Sequence, residues 1–191
     1  MTINGSITAR IAYELVGTEG MVREWYLDSA TPPVGTWGIG VTDASGHLVS
    51  RYKDKPASIE RVLEVYIWLL RTKYGPEVLA AFKGRVLTEA QFAAALSFHY
   101  NTGAIGATAW VSLFLAGKAA EARKFLETHY LNDGDLKQRR MDEAALFFDG
   151  KWKHLDGIAN VYPVSKPSYL PGKPVRVDIR ADVAAALAAQ S

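Results

Sequence analysis

Residues 11–40 constrain the fold more than any other stretch, because a helical pattern there gives way abruptly to a hairpin pattern. Apolar residues recur at helical spacing until the run ends at Glu19-Gly20. Glycine is favoured just beyond a helix because it adopts the positive φ angles that close the last turn. We therefore predict a first helix over residues 6–19, with Ser6 as its N-cap.

A β-hairpin is predicted after this helix. Turn-forming residues with two adjacent prolines occupy residues 28–33. Such clusters separate strands, and the flanking residues have the composition of short strands. The predicted strands cover residues 25–27, 36–41 and 47–52. The first helix thus ends on one carboxylate, Glu19, and the hairpin turn carries a second, Asp28.

Glu19 stands where a helix does not favour a carboxylate. The carbonyl end of a helix carries partial negative charge, which disfavours an ionised carboxylate by a few tenths to about 1 kcal/mol. A carboxyl group whose protonated form is favoured suits general acid catalysis. A residue type that is unfavourable at its position, such as a carboxylate at the carbonyl end of a helix, is also a sign of function. Taken alone, the position is explained better by a solvated glutamate at a frayed helix end.

These residues resemble the catalytic segment of the phage-type lysozymes, glycoside hydrolase family 24. That segment has Glu-Gly, then an Asp, then a Thr-x-Gly-x-Gly run. Here eight residues separate Glu19 from Asp28, as in the family, and the run is Thr36-Trp37-Gly38-Ile39-Gly40. Seven residues separate Asp28 from Thr36, two more than the family usually has, which predicts a longer hairpin turn. A further difference is Val41, where the family often has His.

The resemblance implies an α+β, mostly α, lysozyme-like fold. A small β-hairpin lobe, about residues 11–57, and a larger helical lobe would be joined by a long helix, with a cleft between them. The implied reaction is hydrolysis of the β-1,4 bond between N-acetylmuramic acid and N-acetylglucosamine in peptidoglycan, with inversion. Glu19 would be the acid, Asp28 would activate water or stabilise the developing cation, and Thr36 would hold that water.

Sugar rings are expected to pass over the glycine-rich run, so Trp37 and Gly38 are predicted substrate contacts. A glycine within a strand often marks the close approach of another group. A bulge or a tight bend of the sheet explains the same glycines.

Most of the chain after the hairpin is predicted to be helical. A long helix is expected at 58–74, starting at Ser58 and stopped by Gly75-Pro76. Thr88 and Gln91 match a capping box that opens a further helix. The remaining predicted helices cover residues 108–117, 119–131 and 135–148.

Two features of this helical region match the same family. The sequence SFHYNTG resembles its Ser-Phe-x-aromatic-Asn-x-Gly ending, which implies that Asn101 borders the saccharide; a helix-end cap is the alternative. Arg139-Arg140 with Glu143 resembles a late Arg-Arg-x-x-Glu pattern. This implies that Arg139, or secondarily Arg140, is the counter-ion of the acid. The alternative is a surface i,i+4 pair between Arg139 and Glu143, worth a few tenths of a kcal/mol.

The resemblance covers roughly residues 6–153, so residues 1–157 are assigned to the catalytic domain. Residues 158–191 begin with a proline-rich extended stretch and end with an alanine-rich helix. We expect them to form an arm packed on the helical lobe, and a wall-binding appendage is the alternative.

Composition excludes several classes of function. The chain has no cysteine, so it has neither a disulfide nor a thiolate metal site. Its four histidines lack metal-ligand spacing, and no metal or cofactor is expected. A net charge of +2 without a long basic run suits an anionic cell wall but not nucleic acid.

The first residues lack a signal-peptide pattern, and no apolar run reaches transmembrane length. We therefore expect accumulation in the cytoplasm of the producing cell, with release by a holin as the family's usual route. Monomer is the default expectation for the oligomeric state.

Two other functions remain open at this stage. A lytic transglycosylase would cleave the same bond without a water-activating carboxylate, and Asp28 argues against it. A non-catalytic wall-binding or virion module would not need Glu19, Asp28 and Thr36 together.

Overall fold

The computed structural model describes residues 2–3 and 5–190, and the chain divides into two compact units. The helical unit contains the chain up to Ile7 together with Leu70–Lys153, and the sheet unit contains Thr8–Leu69 together with the chain from His154 onward. The α-helices of the described residues are α1 Ala9–Glu19, α2 Ile59–Leu69, α3 Gly75–Ala81, α4 Glu89–Thr102, α5 Ala109–Leu115, α6 Ala119–Thr128, α7 Lys137–Asp149 and α8 Arg180–Ala188. The strands are β1 Thr2–Ile3, β2 Met21–Leu27, β3 Gly35–Gly38, β4 Val41–Thr42, β5 Leu87–Thr88, β6 Ile158–Tyr162, β7 Val164–Ser165, β8 Leu170–Pro171 and β9 Val175–Asp178.

The sheet unit is built on a five-stranded sheet in the order β4-β3-β2-β6-β9. Strands β2 and β3 are antiparallel, with Tyr26 opposite Thr36. Strand β6 runs parallel to β2, with Met21 opposite Val161. Strand β2 therefore lies at the centre of the sheet, directly after the helix that carries Glu19.

Helix α1 ends at Glu19, as predicted, and Gly20 caps it with a φ of 73°. The amide of Gly20 donates to the carbonyl of Val16 at 2.8 Å. The helix begins later than predicted, because Thr8 and not Ser6 is the N-cap. The Thr8 hydroxyl accepts a hydrogen bond from the amide of Ile11 at 3.3 Å.

The predicted strand at 47–52 is wrong, since Val49–Tyr52 forms a 3₁₀ helix. The Asp43 carboxylate accepts a hydrogen bond from the amide of Val49 at 2.7 Å. The ring of Tyr52 stacks on that of Trp37, with 3.8 Å between the ring centroids. An aromatic stack and a side-chain cap thus turn the chain where the residue alternation predicted a strand.

The predicted arm, residues 158–191, lies in the sheet unit and not on the helical lobe. Its strands β6 and β9 extend the sheet beside β2. Its helix α8 packs against α2, and the Gln190 side chain donates to the carbonyl of Glu64 at 2.7 Å. The alternation at 175–179 indicated a strand, but no local pattern showed which strand it would join.

The helical unit has α4 near its centre, packed against α7. The predicted capping box is confirmed, because Thr88 and Gln91 exchange hydrogen bonds of 3.0 and 3.2 Å at the start of α4. Aromatic rings from several helices fill the core beside it, among them Phe82, Trp110 and Phe147.

The helix that begins at Ile59 does not stop at Gly75-Pro76 as predicted. It continues through a π-helical turn, Leu70–Tyr74, into α3. A Cβ at position 75 would lie 2.7 Å from the carbonyl oxygen of Leu70, so glycine permits this turn. Pro76 stands in the first turn of α3, where a missing N–H is tolerated. Among residues 2–3 and 5–190, no helix is both long and apolar enough to cross a membrane.

Candidate active site

Glu19 lines a cavity of about 200 Å³ within the sheet unit. It is the last residue of α1 and is half-buried. The end of α1 and the start of β2 therefore present this carboxyl group to a concave surface. The other lining residues are Gly20, Met21, Val22, Tyr26, Gly38, Gly40, Tyr162 and Pro171.

Tyr26 connects the surroundings of the two predicted catalytic carboxylates. Burial, then the negative charge of Asp28, then that of Glu19 raise the pKa of Tyr26 to about 12. Its hydroxyl therefore keeps its proton far above neutral pH and remains a hydrogen-bond donor. Tyr26 also lies opposite Thr36 on β3, which places both side chains on one face of the sheet.

Asp28 follows β2 and organises the loop that comes after it. One carboxylate oxygen, Oδ1, accepts hydrogen bonds from the amides of Ala30 at 3.0 Å and Val34 at 2.8 Å. The Asp28 amide donates in turn to the carbonyl of Val34 at 3.1 Å. The long turn predicted between Asp28 and Thr36 thus folds around the Asp28 side chain.

Thr36 is buried, with 3% of its surface exposed, and its hydroxyl lies next to the second oxygen of Asp28. The Thr36 Oγ1 atom is 3.1 Å from the carbonyl oxygen of Val34 and 3.4 Å from Asp28 Oδ2. The hydroxyl has one proton, and 3.4 Å is long for an O–H···O bond, so Val34 is the better acceptor. Asp28 Oδ2 and Thr36 Oγ1 are thus adjacent, and neither residue is among those that line the cavity of Glu19.

Trp37 corrects the prediction of a substrate contact. Its side chain has 0% of its surface exposed, and its indole N–H donates to the carbonyl of Arg23 at 2.9 Å. A ring without exposed surface does not reach a saccharide. Gly38, the other predicted contact on this strand, lines the cavity of Glu19 and has a φ of 67°.

The predicted counter-ions lie in a buried cluster of the helical unit. Arg139 and Arg140 contact the two oxygens of Glu143 at 3.1 and 3.0 Å. Arg140 also donates to the side-chain oxygen of Asn101. Burial raises the pKa of Glu143, while the guanidinium groups of Arg140 and Arg139 oppose that shift. The i,i+4 pair therefore forms, but in the interior, with Glu143 only 4% exposed. The roles of Arg139 and Arg140 towards Glu19, and of Asn101 towards the saccharide, remain predictions.

Five cavity residues were not identified from the sequence: Met21, Val22, Tyr26, Tyr162 and Pro171. Tyr26 lies between Glu19 and Asp28 in a short strand, where an aromatic residue needs no functional explanation. Tyr162 and Pro171 lie in the proline-rich stretch, whose position beside β2 depends on pairing distant in sequence.

The phage lysozyme family model matches residues 16–143. Among solved structures, a P22 lysozyme mutant has a TM-score of 0.56 and 19% identity, covering 74% of this chain and 97% of its own. The muramidase domain of SpmX from Asticaccaulis excentricus has a TM-score of 0.54 and 21% identity, covering 75% of this chain and 97% of its own. The endolysin from Escherichia coli O157:H7 phage FAHEc1 has a TM-score of 0.55 and 19% identity, covering 80% and 99%. No curated protein sequence matches the chain.

The structural similarity confirms the predicted lysozyme-like α+β fold. Because the sequence identities are low, it supports the fold only. The family match extends over more than half of the chain and includes Glu19, Asp28 and Thr36. The chain therefore belongs to the phage lysozyme family, and it is a peptidoglycan-degrading glycoside hydrolase of the lysozyme type.

Proposed function

We propose that this lysozyme hydrolyses the β-1,4 bond between N-acetylmuramic acid and N-acetylglucosamine, with inversion at the anomeric carbon. The observation that carries this proposal is the position of Glu19 on a cavity shared with Tyr26, whose pKa is raised by both Asp28 and Glu19. Both carboxylates thus act on Tyr26, which lies opposite Thr36 in the sheet.

In the proposed reaction Glu19 is the general acid. Its carboxyl proton passes to the glycosidic oxygen as the bond from that oxygen to the anomeric carbon breaks. A water molecule attacks the opposite side of the anomeric carbon and gives a proton to Asp28. Proton exchange with solvent then returns Glu19 to the acid form and Asp28 to the carboxylate.

The surroundings of Asp28 support hydrolysis by activated water. Two backbone amides occupy Oδ1, which fixes the carboxylate, and Oδ2 lies beside the hydroxyl of Thr36 at 3.4 Å. A water held by this pair would have an acceptor for the proton it loses. The place of Thr36 in β3, directly opposite Tyr26, supports this role.

In the cell, the proposed role is endolysin-type lysis. The enzyme would accumulate in the cytoplasm as a monomer, cross the inner membrane through a holin and then cleave glycan strands of the wall. The net charge of +2 supports association with an anionic wall polymer. In the helical unit, Arg139 or Arg140 would serve as counter-ion to the acid, and Asn101 would border the glycan.

The test is the clearing of purified peptidoglycan by the Glu19→Gln variant. Glutamine keeps the size and polarity of the side chain but has no proton to give, so we expect a loss of roughly 10²- to 10⁴-fold in rate. The matched control is Glu121→Gln, because Glu121 is an exposed carboxylate on α6. Circular dichroism should show both variants folded. Clearing by Glu19→Gln at the rate of the control would refute the assignment.

A further inference from the structure

The C-terminal segment, residues 154–178, contacts the turn that carries Glu19. Its strand β6 pairs with β2, with Tyr162 opposite Val22. The Tyr162 ring covers Gly20, where a Cβ would lie 2.7 Å from the ring atom Cε2. Tyr162 and Pro171 of this segment both line the cavity of Glu19.

The same segment contacts α1 again, one turn earlier. The amide of His154 donates to the carboxylate of Glu14 at 2.9 Å, and Glu14 is 5% exposed. The imidazole ring of His154 packs directly against Gly17, where a side chain would overlap it. The last turns of α1 therefore contact this segment both before Gly17, at Glu14, and after it, at Gly20.

A third contact reaches the strand end that precedes Asp28. The carbonyl of Tyr169 accepts a hydrogen bond from the amide of Leu27 at 2.8 Å. The Tyr169 ring meets that of Trp25 edge-on, with centroids 5.3 Å apart. Nearby, Lys166 bridges Glu24 at 2.8 Å and Asp54 at 2.6 Å. One segment is thus attached next to both proposed catalytic carboxylates.

We propose that the C-terminal segment completes the saccharide site and that Tyr162 contacts the N-acetylated sugar held beside Glu19. This inference rests on the proposed function and extends it beyond residues 16–143, to which the family match is confined. Tyr162 is half-buried on β6, so backbone pairing fixes its base while part of its side chain still faces the cavity. An aromatic ring offers an apolar surface for the C–H groups of a sugar, and the phenol hydroxyl can hydrogen-bond to an amide or hydroxyl group.

The experiment compares Tyr162→Phe and Tyr162→Ala with the wild-type enzyme on soluble glycan fragments of defined length. Removal of one hydrogen bond should raise KM roughly 2- to 10-fold in Tyr162→Phe. Removal of the ring should raise KM by roughly 10- to 100-fold in Tyr162→Ala. Because the contact is made to the bound sugar and not to the reacting atoms, kcat should change little. Tyr130→Phe and Tyr130→Ala are matched controls, since Tyr130 is an exposed tyrosine of the helical unit.

A second measurement separates this inference from the proposed function. The dissociation constant of a glycan fragment is measured by calorimetry for Glu19→Gln with and without Tyr162→Phe, because cleavage in this background is expected to be slow on the time scale of the titration. The inference predicts weaker binding in the double variant. Wild-type KM and unchanged affinity in the Phe variants would overturn it, even while Glu19→Gln alone remains inactive. A wild-type enzyme that cleaves no glycan would instead overturn the proposed function, and this inference with it.

Discussion

The two carboxylate oxygens of Asp28 have different surroundings. One oxygen shapes the loop, and the other is the proposed acceptor of the proton from water. Oδ1 accepts two backbone hydrogen bonds that shape the following loop, and Oδ2 lies beside the Thr36 hydroxyl. An asparagine can keep the first set of bonds, because its amide oxygen is also an acceptor. It cannot take a proton from water.

We therefore predict that Asp28→Asn loses about 10²- to 10⁴-fold in rate while its melting temperature changes by only a few degrees. Initial rates on purified peptidoglycan and thermal unfolding by circular dichroism measure the two quantities. Asp133→Asn, at a carboxylate of the helical unit, controls for the loss of charge. A variant that retains activity and releases anhydro-muramic acid ends would show that Asp28 does not activate water.

Tyr26 gives a pH-dependent prediction. Its pKa is raised from the ordinary value of 10.0 to about 12, first by burial and then by Asp28 and Glu19. Between these values the folded protein retains a proton that the unfolded chain has lost. The contribution of this group to stability is therefore complete below pH 10 and disappears as the pH rises to about 12.

The advantage of the wild type over Tyr26→Phe in free energy of unfolding should therefore shrink by roughly 2 kcal/mol between pH 9 and pH 12. Urea unfolding of both proteins at several pH values measures it, and the lysine titrations common to both cancel. Stability curves that run parallel across this range would show that neither burial nor the two carboxylates act on Tyr26.

The sequence made Glu19, Asp28 and Thr36 candidate catalytic residues because their types and spacing form one motif, and their roles stay predictions. The sequence did not show that Trp37 is buried, because an aromatic residue in a glycine-rich run can lie either in the core or on the surface. Its burial under Tyr52 depends on a 3₁₀ turn that the residue alternation did not reveal.

Among the elements, α4 and α7 are joined by a buried ionic cluster. Glu143 is 4% exposed and contacts Arg139 and Arg140, and it accepts a hydrogen bond from the Ser97 hydroxyl at 2.7 Å. Removing the charge of Glu143 would leave two guanidinium groups without their shared carboxylate. Breaking a buried pair in this way costs much more than breaking a surface pair.

We predict that Glu143→Gln lowers the free energy of unfolding by about 3–5 kcal/mol. The matched control is Glu127→Gln, which removes one of the two carboxylate partners of Arg123 in a partly exposed i,i+4 pair and should cost less than about 1 kcal/mol. Urea unfolding at neutral pH gives both values. Equal losses in the two variants would contradict the burial of the cluster.

Elements defined by neighbouring residues were predicted better than those that depend on distant contacts. The capping box of Thr88 and Gln91 needs only its own turn, and it is confirmed. The stop at Gly75-Pro76 was wrong because a π-helical turn carries the chain past it. The rules that predict helix ends from neighbouring residues do not predict a π-helical turn.

For the whole molecule, the catalytic motif lies near the beginning of the chain, yet residues near its end pack beside it. Strand β6 joins β2 through pairs such as Met21 with Val161. The residues of neither strand indicate which partner it pairs with. The sequence therefore predicted an arm, and it missed the part of the cavity lined by Tyr162 and Pro171. The family motif was sufficient to predict the fold, whereas the position of the C-terminal segment required the structure.

In the proposed reaction, Glu19 and Asp28 direct hydrolysis of the muramic acid glycosidic bond. Mass spectrometry of purified peptidoglycan digested in ¹⁸O-labelled water tests it most directly. We expect muropeptides with reducing N-acetylmuramic acid ends that carry one labelled oxygen, and roughly 10²- to 10⁴-fold less of them from Glu19→Gln in the same digestion time. Products with anhydro-muramic acid ends, or with reducing N-acetylglucosamine ends, would contradict it.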